Sequence, residues 1–274
     1  LGNDMIYVVL ALFGGLSGVT TVLFGFGGGF VVVPALYGVL TSLHGANDEM
    51  RQSAMHIAVA TSTCVMIVNS VLATRKHWRA GNLIGEYVWP LAGYISAGAL
   101  LGALAAMQAG GDFMRHAFIV YLAATVLDCV LRQGFMSGRG AGPRGLDRVT
   151  TMGGGVVIGM IAAFLGVGGS VMTVPLLRRR GLPMVKAAAM ANPLSLPVAL
   201  AGTLAYLAAA RDLPHALAPW IVGYVDILAF AVLALGSLAG IHLAAPLIPR
   251  IPDRVHARVY VLLLILVMLS MIAL

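Results

Sequence analysis

Charge is what this sequence has least of. Only 10% of its 274 residues are Asp, Glu, Lys or Arg, against about 25% in an ordinary soluble domain. So few charges cannot cover a water-facing surface, and a disordered chain would need more charge and less hydrophobicity. Cysteine is almost missing as well. Cys64 and Cys129 sit inside apolar stretches without CxxC spacing, so they read as packing residues and not as a disulfide or metal framework. There is no HExxH, no Cys/His cluster and no carboxylate pair to hold a metal, and no Walker sequence or GxSxG elbow. The run Gly25-Phe26-Gly27-Gly28-Gly29-Phe30 is not a dinucleotide fingerprint, because it lacks a preceding strand and an acidic residue about 20 positions on. These absences argue against an enzyme and predict neither metal nor cofactor. The net charge is +7, but Lys and Arg are not interleaved with aromatics as a nucleic-acid surface requires.

What is present is apolar: AVILMFWYC residues make up 60% of the chain. Apolar stretches cover roughly 5–41, 53–74, 84–108, 113–132, 149–177, 185–210, 217–247 and 256–274. A spanning helix needs about 20 such residues, so the chain reads as an all-α polytopic membrane protein in the lipid bilayer. The residues before the first stretch, Leu1-Gly2-Asn3-Asp4, lack a basic segment, which argues for a span and against a cleaved signal peptide. Glycine is abundant, with 34 residues. Two stretches, 5–41 and 149–177, are interrupted by a glycine cluster followed by a proline: Gly25 to Gly29 with Pro34, and Gly166 to Ser170 with Pro175. Serial glycines break a helix and proline suits the first turn of a new one. Each long stretch therefore predicts two helical pieces joined by an irregular turn.

The two interruptions are copies. A shift of 141 residues superposes Gly14 on Gly155, Gly18 on Gly159, Gly25 on Gly166, Gly27 on Gly168, Gly28 on Gly169, Val33 on Val174, Pro34 on Pro175 and Leu36 on Leu177. Further on, Ala58 to Ser62 aligns with Ala189 to Pro193, and Gly81 and Gly98 with Gly223 and Gly240. The chain divides into a first transmembrane repeat (1–132), a polar cytoplasmic linker (133–148) and a second transmembrane repeat (149–274).

Basic residues choose the topology. If all eight stretches cross once, the 17 Lys and Arg divide 8 to 9 between the two sides. If 149–177 enters and leaves on one side, 14 lie inside and only Arg51, Arg115 and Arg211 outside. The positive-inside rule favours the second arrangement. By the repeat, 5–41 is re-entrant too, although residues 1–50 hold no Lys or Arg to test it. Each half then has one broken, re-entrant pair and three transmembrane helices. The odd number of spans turns the second half upside down, giving two inverted repeats, the plan of many secondary transporters. Both termini are expected outside.

The motifs Gly25-x-Gly27-Gly28-Gly29-x4-Pro34-x-Leu36 and Gly166-x-Gly168-Gly169-Ser170-x4-Pro175-x-Leu177 resemble the paired glycine–proline motifs of the sulfite exporter TauE/SafE family. Ala58-x-Ala60-Thr61-Ser62 is similar to that family's Ala-x-Gly-Thr-Ser segment, and Gly223-Tyr224-Val225-Asp226 to its Gly-x-hydrophobic-Asp segment. The resemblance covers nearly the whole chain. It implies a bacterial inner-membrane carrier of a small anion, sulfite or an organosulfonate. Four positions depart from the pattern: Ser170 for glycine, Asn192-Pro193 for Thr-Ser, Ala60 for glycine, and Gly81-Asn82-Leu83-Ile84 without the aspartate.

A broken helix exposes backbone groups that lipid cannot satisfy, and the new helix after each break points free N–H groups and a partial positive charge back at it. Gly27, Gly28, Gly29, Gly168 and Gly169 are therefore the expected backbone cradle of an anion. Ser170, Thr61, Ser62, Asn192 and Ser195 supply a neutral polar shell. Gly14, Gly18, Gly155 and Gly159 read as helix-packing glycines. Asn192-Pro193 with Pro197 predicts a kinked or unwound helix. Asp128, four residues before Arg132, reads as an ion pair; His56 and His242 read as hydrogen-bonded packing groups, and Glu86 and Asp226 as helix-end residues. An anion channel built from the same re-entrant segments is the alternative, and the coupling ion, proton or sodium, is left open.

Overall fold

The computed structural model describes residues 3–45, 48–132, 135–136, 145–208 and 219–274. Most of the 133–148 linker, with Arg139, Arg144 and also Arg211, lies outside the described residues. The chain is helical almost throughout. The first half holds α1 (Asn3–Phe24), α2 (Gly29–Leu43), the short α3 (Glu49–Gln52), α4 (Ala54–Arg79), the short α5 (Gly85–Val88), α6 (Leu91–Gln108) and α7 (Gly111–Leu131). The second half opens with a π-helical turn, Thr150–Gly154, that runs into α8 (Gly155–Leu165). Then come α9 (Ser170–Arg179), α10 (Met184–Ala208), a two-stranded hairpin β1 (Ile221–Val222) and β2 (Val225–Asp226), α11 (Ile227–Ala244), a 3-10 segment Ala245–Arg250, and α12 (Asp253–Ala273). Both glycine clusters fall between helices, α1/α2 and α8/α9, as their sequence requires.

Among the described residues, seven helices are long and apolar enough to cross a membrane. Six are the three full-length helices of each half, with α5 and the 3-10 segment extending α6 and α11. The seventh is α1. Its 22 residues reach about 33 Å, enough by itself for a hydrocarbon core of about 30 Å. Its counterpart α8 has 11 residues, so the two broken pairs differ in reach. The outward faces of α6, α7 and α12 carry exposed Leu, Val and Ile, which suits lipid and not water.

Packing is closest in two pairs, α1 with α11 and α6 with α8, which the sequence repeat maps onto each other. Glycine makes both possible. A methyl group on Gly14 would lie 2.5 Å from Leu233 O, and one on Gly18 would strike Ser237 O; Gly236 faces Ala11 O and Gly240 faces Gly15 O. In the second pair Gly155 faces Tyr94 and Leu91, Gly159 faces Ile95 O, Gly98 faces Val156 O and Gly102 faces Met160 O. Small residues four apart let backbones touch where apolar surface gives no net drive to associate. The pairings advance together along both helices, so each pair is parallel.

α4 and α10 form the central pillar and are the most buried of the long helices. α10 stays helical through Pro193 and Pro197, so of the kinked or unwound segment that the sequence predicts the unwound form is excluded. Asn192 and Ser195 turn their side chains back to Ala188 O (3.2 Å) and Ala191 O (2.9 Å), one turn earlier. Both polar groups are thereby satisfied within their own helix.

Arginine–carboxylate pairs gather at one end, whereas His44 and Asp48 pair at the other (2.8 Å). Arg178, at the end of α9 and 3% exposed, pairs with Asp253 of α12 and donates to Phe135 O (3.1 Å) and Leu182 O (3.1 Å). Arg179 pairs with Asp128 of α7, which also meets Arg132 at 3.4 Å. Arg180 pairs with Asp147. Thr150 and Arg180 together hold the Asp147 carboxyl well below the usual carboxylate range. The opposite end holds Arg51, which donates to Thr41 O and His44 O, and Arg115, which donates to Met271 O.

Candidate functional site

The two breaks meet. Gly27 and Gly168 share the same two neighbours: a methyl on Gly27 would lie 3.1 Å from Met66 Sδ and 3.2 Å from Ser195 Oγ, and one on Gly168 3.1 Å and 2.6 Å from the same atoms. Gly29 has no room for a side chain because Gly166 O lies against it. Ser62 of α4 ties the second break to the pillar by donating to Gly166 O (3.0 Å) and Val59 O (2.8 Å). Gly27, Gly29, Gly168, Ser62 and Ser195 thus converge, with Met66 between them.

The conformations are those that only glycine tolerates well. Gly25, Gly27 and Gly28 have φ of 76, 68 and 103°, and Gly166 has 66°. In the first break this turns the chain back after Phe24, so that α2 begins beside Ser17, two turns up α1. In the second break Gly166 ends α8 in the left-handed conformation, and the amides of Gly166 and Val167 both donate to Ala162 O. Gly168 and Gly169 have ordinary backbone angles there, which is why Ser170 replaces the third glycine without strain. Its hydroxyl donates to Gly168 O at 3.3 Å.

Neither new helix has a side-chain cap at its N-terminus. The first intrahelical bonds run from Val31 and Val32 to Gly28 O and from Met172 and Thr173 to Gly169 O. The amides of Gly29 and Phe30, and of Ser170 and Val171, precede them. Two helix starts with free donors and positive dipole ends therefore lie deep in the bundle, among neutral side chains. Thr61, Ser62, Met66, Ser170, Asn192 and Ser195 are all 0% exposed, so no water-sized space touches them. The breaks are in contact and closed in this arrangement.

Other predicted residues lie elsewhere. Thr61 Oγ1 accepts from the Asp226 amide at 3.0 Å, at the start of α11. Gly28 faces Asn69 and Ser17, whereas its copy Gly169 faces the methyl groups of Ile158 and Val198. Asn192 Oδ1 has no partner, like Asn69 Oδ1. Gly28 is thus set among polar groups, with Asn69 Nδ2 donating to Ser17 Oγ (3.0 Å) and Ser17 to Gly28 O (3.3 Å), and Gly169 among apolar ones. His56 bonds Ala109 O (3.0 Å) and His242 bonds Leu238 O (2.8 Å). Asp226 caps α11 through Ala229 N (2.9 Å), and burial pushes its carboxyl up. No group of three metal-ligating side chains exists among the described residues.

A family model described as Sulfite exporter TauE/SafE matches residues 10–271. The chain belongs to the sulfite exporter TauE/SafE family. This family member is similar to a "Probable membrane transporter protein" of Haemophilus influenzae, 23% identical over 269 residues, 97% of this chain and 98% of the relative. A second relative with a similar name, from Methanocaldococcus jannaschii, is 24% identical over 216 residues, 73% of this chain and 72% of the relative. No solved structure matches. Family and relatives together support a membrane transporter.

Several residues around the breaks of this TauE/SafE family member escaped the sequence reading. Met66 and Asn69 follow Ser62 at helical spacing on one face of α4, and continuing that stripe would have found them. His77 and His256, both buried, sit beside basic loops at helix ends and gave no signal.

Proposed function

We propose that the protein is a secondary transporter that moves a small anion, sulfite or an organosulfonate, across the inner membrane by alternating access. The carrying observation is the meeting of two uncapped helix starts at Gly27 and Gly168. Backbone amides and the hydroxyls of Ser62, Ser170 and Ser195 are the groups we assign to the anion, with the breaks separating to admit it. The parallel pairs α1/α11 and α6/α8, exchanged by the sequence repeat, support two inverted halves. The ion-paired, arginine-rich end is then cytoplasmic and both termini lie outside. The family description supports sulfur-containing anions. A breach that closes without water-sized space favours a carrier over an open pore.

The test is sulfite counterflow in proteoliposomes, paired with thermal stability of the purified protein in sulfite, an organosulfonate or chloride. Saturable counterflow and a rise in Tm with one sulfur-containing anion are expected. No Tm change and no uptake with any of them overturns the reading, and large unitary currents in planar bilayers would replace it with a channel.

A further inference from the structure

The break after α1 leaves the carbonyls of Val22 and Leu23 without their intrahelical amides, because the chain turns away at Gly25. Two imidazoles from two other helices take their place. His77 Nε2, at the end of α4, lies 2.8 Å from Val22 O, and His256 Nε2, in the first turn of α12, 2.7 Å from Leu23 O. A carbonyl only accepts, so both Nε2 atoms carry hydrogen and any further proton goes to Nδ1. Asn82 Nδ2 lies 3.4 Å from His77 Nδ1. His256 Nδ1 has no partner, and the residue is 1% exposed. At the second break the turn closes on itself, with Ala162 O taking the amides of Gly166 and Val167.

We propose that His77 and His256 form the proton site of the transporter, with a proton from the cytoplasmic water bound on His256 Nδ1 for each anion held at the breaks. The proposal rests on the anion reading above and names the coupling ion that it leaves open. The negative end of the α1 dipole faces both rings and favours an imidazolium. Burial opposes a second proton on the ring, which an accompanying anion offsets; Asp253, one turn before His256, with Arg178 of α9 that pairs with it, and His77 of α4 are the charged and titratable groups that face the same end. The Phe24 ring meets His256 edge-on at 4.9 Å, so the imidazole reports directly on the last turn before the break. Among the described residues, no Lys or Arg is a nearest neighbour of the glycines where the breaks meet. A monovalent anion there would be a lone buried charge, and a proton on His256 makes the load neutral overall.

His256→Gln keeps an amide donor for Leu23 O and cannot titrate. The first measurement needs no anion: imidazole nitrogen NMR of the purified, histidine-labelled protein between about pH 5 and pH 8. We expect one imidazole that titrates, absent from His256→Gln, with its midpoint displaced by sulfite. A His256 that stays the neutral Nε2–H tautomer throughout overturns the proposal. The second uses proteoliposomes. A one-unit pH gradient supports about tenfold accumulation of an anion that travels with one proton. His256→Gln should lose that accumulation, falling to about onefold, while retaining sulfite counterflow. Undiminished gradient-driven accumulation in the variant overturns coupling at this site. If the wild type exchanges no anion, the transporter reading fails, and the proton site stands or falls on the titration.

Discussion

Replacing Gly168 by alanine puts a methyl group 2.6 Å from Ser195 Oγ and 3.1 Å from Met66 Sδ, well inside the roughly 3.5 Å at which such atoms normally touch. Backbone strain does not contribute, because Gly168 has no positive φ. The hydroxyl cannot simply retreat, since it donates to Ala191 O at 2.9 Å. Overpacking of this kind costs about 1–3 kcal/mol, charged entirely to the arrangement in which the breaks touch. If every transport cycle passes through that arrangement, counterflow slows by about fivefold to 150-fold. Ser195→Gly removes the opposing atoms, so Gly168→Ala/Ser195→Gly should recover most of the loss. The four proteins of this cycle are compared by initial counterflow rate in proteoliposomes, with Tm as a control for folding. Wild-type rates in Gly168→Ala, or a double variant no faster than the single one, would refute the claim that the breaks meet during transport.

Three further expectations concern the surroundings. Asp226→Asn keeps the α11 cap and removes a carboxyl that burial pushes up. Such a group contributes stability below its ordinary value near pH 4 and loses it as pH rises through the raised one. Asp226→Asn should therefore match the wild-type Tm near pH 3 and exceed it at pH 7, while Asp226→Ala, which lacks the cap, falls about 1 kcal/mol below Asp226→Asn at both. Arg178→Ala strands Asp253 and the carbonyls of Phe135 and Leu182; because Asp253 is 41% exposed, the expected loss is about 2–4 kcal/mol, below that of a fully buried pair, and Arg178→Lys should not restore it when unfolding is followed by heat. An epitope after Leu274 should be labelled by an impermeant reagent on intact cells, whereas a cysteine at Lys76 should be labelled only after permeabilisation; the reverse pattern would invert the proposed orientation.

Much of the fold was legible because membrane helices announce themselves by length and apolarity. The breaks were legible because the glycine–proline pattern occurs twice. Gly14, Gly18, Gly155 and Gly159 were read as packing residues, and each lies against another helix. What the sequence could not give was direction of approach. Thr61 and Ser62 are neighbours in a helix, so they point about 100° apart, and only Ser62 reaches a break. Gly28 and Gly169 are matched by the repeat yet have different neighbours: Ser17 became Ile158 in the other half, whereas Asn69 and Val198 reach their glycines from positions that the repeat does not match. The length of α1 was hidden by continuity, since its apolar run gives no sign of where its first half ends. That α10 does not unwind was hidden for a related reason: proline predicts a lost amide but not whether the packing of a buried helix tolerates it.

The unequal wrapping of the two breaks has a thermodynamic consequence. In a machine made of two identical inverted halves, the inward-open and outward-open forms would be mirror images in energy as well as in shape, and an empty carrier would rest equally in both. Ser17 and Asn69 on one side, Ile158 and Val198 on the other, remove that degeneracy. Parting Gly28 from its neighbours wets polar groups that welcome water, and parting Gly169 from its own wets methyl groups that do not. The unloaded protein should then have a preferred resting face, written into four side chains that never need to touch the cargo.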